Sequence, residues 1–189
     1  MNIKITFISL LLLICLSGCE IGQNRELTAY FDLSKLLIDQ MLLLKSENPL
    51  VQKTVILDGK TEKKELHLDS LGWLRELDVF IEANINKPSL VNAFEIETSQ
   101  NQIIYSRKKQ DEDGVQRFEI KLVSNTTPGE ITIETNTQNS LYHDETSLRI
   151  SFRDYKGQMI LSGYSVEGAQ TSLSREPTTY QIDALLQYD

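Results

Sequence analysis

The chain has 189 residues with 19 Lys plus Arg against 27 Asp plus Glu, a net charge near −8 that repels nucleic acid and excludes it as a natural partner. Its only cysteines are Cys15 and Cys19, which rules out a disulfide-rich scaffold or a cysteine-ligated zinc site. There is no internal repeat and no low-complexity tract, and the length suits one ordinary domain.

The chain opens Met1-Asn2-Ile3-Lys4, one positive charge ahead of an apolar run from Ile5 to Ile14. That is the charged and apolar order of a secretory signal, and the run falls short of the roughly 20 apolar residues of a membrane span. It ends in Leu16-Ser17-Gly18-Cys19, which resembles the lipobox of bacterial lipoproteins. Small residues before the cut let an extended backbone enter a peptidase cleft, and the thiol receives the diacylglyceryl group. The resemblance implies a signal peptide over 1–18 and lipidation of Cys19, with palmitate-like acyl chains holding the product to a membrane. Burial contributes roughly 0.8 kcal/mol per methylene, and two or three chains anchor stably where one does not. Cleavage removes Lys4 and no acid, so the remainder is one unit more acidic than the whole chain. With Cys15 lost and Cys19 acylated, no thiolate is left for catalysis.

Residues 19–26 then form the lipidated cysteine and a short tether, seven residues of which reach about 25 Å at most. A single domain is expected over 27–189. Leu27 to Lys45 has the strongest helical pattern. Its apolar residues, Phe31, Leu37 and Met41 among them, cover most of the circumference, leaving a polar wedge of Thr28, Asp32, Lys35 and Asp39. Gln52–Leu57 and Lys60–Leu68 flank Asp58-Gly59, a two-residue hairpin signal, and the charges of the second strand suit a protected edge. Asp69 or Ser70 caps a second helix to about Ala83, with Leu71, Leu74, Leu77, Phe80 and Ile81 as its apolar face and Trp73 beside them.

From Leu90 the period falls to two, with strands expected at 90–97, 102–108, 115–124, 130–137, 147–154, 158–167 and 178–187. Phe118, Ile120 and Leu122 alternate with charged residues, as do Leu148, Ile150 and Phe152. Asp111-Glu112-Asp113-Gly114, Pro128-Gly129, Lys156-Gly157 and Glu167-Gly168 read as turns. Helices first and strands after predict an α+β fold: two N-terminal helices packed on a mostly antiparallel, curved meander.

Candidate chemistry is thin. Gly59-Lys60-Thr61 lacks the upstream glycine and following helix of a phosphate loop, since Thr54 stands where the glycine belongs. In Asp111-Glu112-Asp113-Gly114 the glycine arrives too early for a calcium loop and Val115 takes a ligand's place, so a hairpin turn is the better reading. Tyr142-His143-Asp144-Glu145 is the densest ionisable set around a histidine and reads as a solvated loop; the other histidine is His67. No Gly-x-Ser-x-Gly elbow occurs. Asp69-Ser70-Leu71 resembles a three-residue O-glycosylation acceptor of Bacteroidota, though helix capping accounts for it equally well.

No catalytic residue, metal or cofactor is therefore expected. A lipobox before an acidic, Asn- and Thr-rich antiparallel domain resembles the envelope lipoproteins of Bacteroidota. The resemblance implies a lipid-anchored protein of the outer membrane whose role is binding or assembly with an envelope partner. Two alternatives stand beside it: lipid or lipoprotein handling, by analogy with the outer-membrane lipoprotein carriers, and hydrolysis of an envelope polymer. A helix sealed within the core would argue against the first alternative, and an open apolar groove would favour it.

Overall fold

A computed structural model describes residues 30–109, 113–124, 126–172 and 175–188. In chain order these form α1 (Leu33–Glu47), β1 (Leu50–Leu57), β2 (Lys60–Leu66), α2 (Ser70–Glu82), a 3-10 turn at Pro88–Leu90, β3 (Phe94–Ser99), β4 (Gln102–Arg107), β5 (Gly114–Ser124), β6 (Thr127–Gln138), β7 (Tyr142–Tyr155), β8 (Gln158–Ser172) and β9 (Arg175–Gln187). The expected signal, Cys19 and the tether all lie outside the described residues, as do Asp111 and Glu112.

Turn chemistry sets the hairpins. Asp58 and Gly59 both take positive φ, 46° and 78°, between β1 and β2; Lys156 and Gly157 do the same, 55° and 80°, between β7 and β8. Two positive-φ residues in succession carry the twist that matches paired strands. All nine strands join one antiparallel sheet in the order β2-β1-β9-β8-β7-β6-β5-β4-β3. Strands β3 to β9 follow chain order, but the β1–β2 hairpin is zipped onto the last strand, from Leu50 opposite Gln187 to Leu57 opposite Tyr180.

This overturns the α+β expectation. Strand makes up 60% of the described residues and helix 20%, so a single large antiparallel sheet organises the fold and the two helices are accessory to it. The strands are longer than the alternation suggested because residues read as punctuation lie inside them: Pro128-Gly129 in β6, Glu167-Gly168 in β8 and Tyr142 to Glu145 in β7. Leu90, read as the start of a strand, closes the 3-10 turn instead.

Alternation gives the sheet two faces. The inner one carries Phe118, Ile120, Ile131, Ile133, Leu148, Ile150, Tyr164 and Val166, all buried in one cluster with Leu33, Leu37 and Leu44 of α1 and Trp73, Leu77 and Phe80 of α2. Helix α1 begins later than the apolar pattern implied, because Asp32 accepts a hydrogen bond from the Lys35 amide (3.1 Å) and caps it. Its outward side leaves Ile38 and Leu42 exposed, so the helix is buried on one side only. Helix α2 is capped by Asp69, whose Oδ1 accepts from the Gly72 amide at 2.7 Å. Its buried face is Trp73-Leu77-Phe80, and Leu71 and Leu74 face solvent, contrary to the leucine-led expectation.

Two buried amides fix the helices. Asn84 accepts from the Leu33 amide (3.2 Å) and donates to Asp32 (3.3 Å), tying the end of α2 to the start of α1. Gln40 accepts from the Leu161 amide (2.7 Å) and donates to the Met159 carbonyl (3.1 Å). That stretch of β8 runs past the β9 ladder, whose pairing starts at Gly163 opposite Leu185, so Gln40 supplies the partner that the ladder does not.

Candidate functional site

Beside α2 part of the inner face stays open as a cleft of about 670 Å³. Its geometry follows from the ladder register. Ile150, Tyr164, Ala184 and Lys53 lie opposite one another across β7, β8, β9 and β1; the next inward-facing row is Leu148, Val166, Ile182 and Val55, and the one beyond is Thr146, Gly168, Tyr180 and Leu57. The first row carries the polar groups of Lys53 and Tyr164 and the third those of Thr146 and Tyr180; the two rows are about 13 Å apart along the strands, with an apolar row between them.

At the first row Lys53 Nζ sits 2.8 and 2.6 Å from the two carboxylate oxygens of Glu76, on α2. The Tyr164 hydroxyl donates to the same carboxylate at 2.5 Å, its ring set edge-on to Phe80 at 6.0 Å. Lys53 and Glu76 side chains are each 20% exposed, so the pair is partly desolvated and reaches solvent through the cleft. Burial, then the hydrogen bond to Glu76 and its charge, push Tyr164 well above the ordinary phenol range. The group stays a neutral donor.

At the third row the Thr146 hydroxyl donates to Asp144 Oδ2 (2.7 Å) and lies 2.6 Å from the Tyr180 hydroxyl, which also donates to Asp144 Oδ1 at 3.3 Å. Burial raises Tyr180, the Thr146 hydrogen bond opposes this, and the Asp144 charge adds to it. Val79, Arg75 and Lys87 line the same cleft, each exposed to solvent. Lys87 Nζ donates to the Glu82 carbonyl (2.6 Å), at the negative end of the α2 dipole.

A larger hollow of about 930 Å³ lies on the opposite face, lined by Glu134, Asn136, Glu145, Ser147, Glu167 and Gln181. It is wider, and its carboxylates Glu134, Glu145 and Glu167 are all exposed to solvent. The inner cleft combines apolar surface, convergent polar groups and tyrosines of shifted acidity, the features that mark binding sites.

The residues singled out in the sequence are scattered. Tyr142-His143-Asp144-Glu145 is not a loop but the start of β7, and strand alternation splits it: Asp144 turns inward to Tyr180, while His143 Nε2 meets Glu145 Oε1 at 3.0 Å on the other face. His67 follows β2, four strand positions from β7 and toward the opposite end of the strands from His143. Among the described residues no three His, Cys, Asp or Glu side chains are placed to hold a metal ion. Asp113, from the proposed turn, accepts from the Gln138 amide at 2.8 Å. Lys53, Glu76, Tyr164 and Tyr180 were missed. Each sits in an amphipathic strand or helix with no local motif; the β8–β9 pairing sets the two tyrosines, the β1–β9 pairing adds Lys53, and the helix α2 supplies Glu76.

No family model matches the chain, and no curated protein or solved structure matches it either.

Proposed function

We propose that this is a non-enzymatic binding protein of the cell envelope, held to the outer membrane by lipid on Cys19, and that the α2 cleft takes a small amphipathic ligand. The observation that carries the binding role is the cleft beside α2, where Ile182 and the largely buried Leu148 and Val166 lie between two hydrogen-bonded polar clusters, Lys53–Glu76–Tyr164 and Asp144–Thr146–Tyr180. A ligand with an apolar middle and polar ends about 13 Å apart meets matched groups along the whole cleft. The hydroxyls and carboxylates there are already engaged with one another, which presents a ligand with a preformed polar surface at each end.

The anchor rests on the order Leu16-Ser17-Gly18-Cys19. Lipid or lipoprotein handling, one of the two alternatives raised from the sequence, draws no support from the space beneath the long helix. Leu33, Leu37 and Leu44 of α1 are fully buried, with Phe31 and Met41 packed against the same core, so the space beneath α1 is filled and the open volume lies beside α2. The test is nondenaturing mass spectrometry of protein extracted gently from its own membranes. A discrete small molecule bound one to one, and displaced on unfolding, is expected. Protein that is consistently empty and binds nothing from an envelope metabolite extract contradicts the proposal.

A further inference from the structure

The two free edges of the sheet are built differently. β2 carries Lys60, Glu62, Lys63, Lys64 and Glu65 along its whole length, a charge pattern that resists edge-to-edge pairing. β3 has neither lysine nor proline, and five of its six residues are exposed, Phe94 being the exception. Among the described residues no strand pairs with its outer side, where only the Phe94 amide is engaged, donating to the Tyr30 hydroxyl at 3.2 Å. Its side chains divide cleanly: Ile96 is opposite inward-facing Tyr105 and remains 52% exposed, while Glu95 and Glu97, opposite Ser106 and Ile104, lie on the outer face.

From this we infer that the β3 edge is a docking strand for an extended peptide segment of a partner in which Lys or Arg alternates with Val, Ile or Leu. Such a segment adds as a tenth strand, its amides and carbonyls satisfying the open side of β3. Its apolar residues cover Ile96 on one face and its cations pair with Glu95 and Glu97 on the other.

A second copy of the chain does not fit. In an antiparallel β3–β3 pair residues facing each other share a sheet face. Each register that keeps most of the strand then sets Glu95 against Glu95, Glu95 against Glu97, or Glu97 against Glu97, and like charges directly opposite are destabilising. The β2 edge of another copy fails for a different reason. Glu62 shares the face of Val55, so Lys60, Glu62 and Lys64 would be laid against Ile96. A basic, alternating partner strand avoids both conflicts.

The experiment uses the full protein in detergent and two fluorescein-labelled hexapeptides, Lys-Val-Lys-Val-Lys-Val and Glu-Val-Glu-Val-Glu-Val, followed by anisotropy. Saturable one-to-one binding of the basic peptide is expected, at least about tenfold tighter than the acidic one, with slowed amide exchange confined to β3 and its neighbours. Glu95→Lys with Glu97→Lys reverses the preference. Glu62→Lys with Glu65→Lys, an equal change of net charge on the other edge, leaves it intact. Equal loss in both double variants, protection away from β3, or no binding of the basic peptide to the wild type overturns the inference. Sedimentation that finds self-association abolished by the β3 substitutions overturns it too, because the edge then belongs to a second copy.

Discussion

Gly168 lies directly beneath the ring of Tyr180. The two are opposite one another in the β8–β9 ladder, and a methyl group on Gly168 would stand 2.5 Å from Tyr180 Cζ, with the Glu145 carbonyl at 2.8 Å. The glycine that reads as a turn in the sequence is therefore a mid-strand gap that lets the tyrosine lie down and reach Thr146 and Asp144.

Gly168→Ala is expected to lower stability by about 1–3 kcal/mol, as overpacking does, because the ring must lift and break its hydrogen bonds. Urea titration measures this. In a Tyr180→Ala background the same substitution is expected to cost less, a non-additivity of the kind found for residues in contact.

Gln40→Leu is expected to destabilise by about 2 kcal/mol although it makes α1 more apolar, since it strands the Leu161 amide and Met159 carbonyl without partners. Leu42→Gln, on the exposed side of the same helix, is expected to change the urea midpoint little. Equal effects from the two substitutions would contradict the role given to Gln40.

Tyr164 gives a pH dependence of defined sign. Its folded acidity constant lies above the ordinary value of 10, so between the two the folded state holds a proton that the unfolded state has lost. Stability from this group is fully present below pH 10 and falls as pH rises beyond it. Unfolding midpoints measured from pH 8 upward are expected to drop above pH 10, and less steeply in Tyr164→Phe. The variant is expected to lose about 1 kcal/mol at neutral pH with the hydrogen bond to Glu76. A slope unchanged by the substitution would place the proton elsewhere.

Cys19→Ser is expected to move the protein from the membrane fraction into the aqueous extract and to abolish incorporation of labelled palmitate. Wild-type protein that is already aqueous and unlabelled would remove the anchor from the account.

Local rules were legible in the sequence and long-range pairing was not. Asp58-Gly59 and Lys156-Gly157 announced their hairpins because each ends in a glycine, which takes positive φ at no steric cost. The runs Phe118-Ile120 and Leu148-Ile150-Phe152 announced the inner face because a half-covered sheet enforces alternation. Gly129 and Gly168 misled because in both places the missing Cβ makes room for a cross-strand side chain, Val123 and Tyr180, and a sequence pattern does not separate that use from a turn. The cleft was hidden for the same kind of reason. Lys53 and Tyr164 come together only because β1 pairs with β9, and nothing local in either strand specifies that partner.

If the α2 cleft holds a ligand, a bulky side chain at Val79, which lines it and is 37% exposed, should evict that ligand. Nondenaturing mass spectrometry of wild type and Val79→Trp, extracted side by side from the native membrane, is the most direct measurement. The wild type is expected to carry a discrete bound mass, and the tryptophan variant, equally folded by circular dichroism, to have lost it. An identical bound mass in both proteins, or none in the wild type, would contradict the claim.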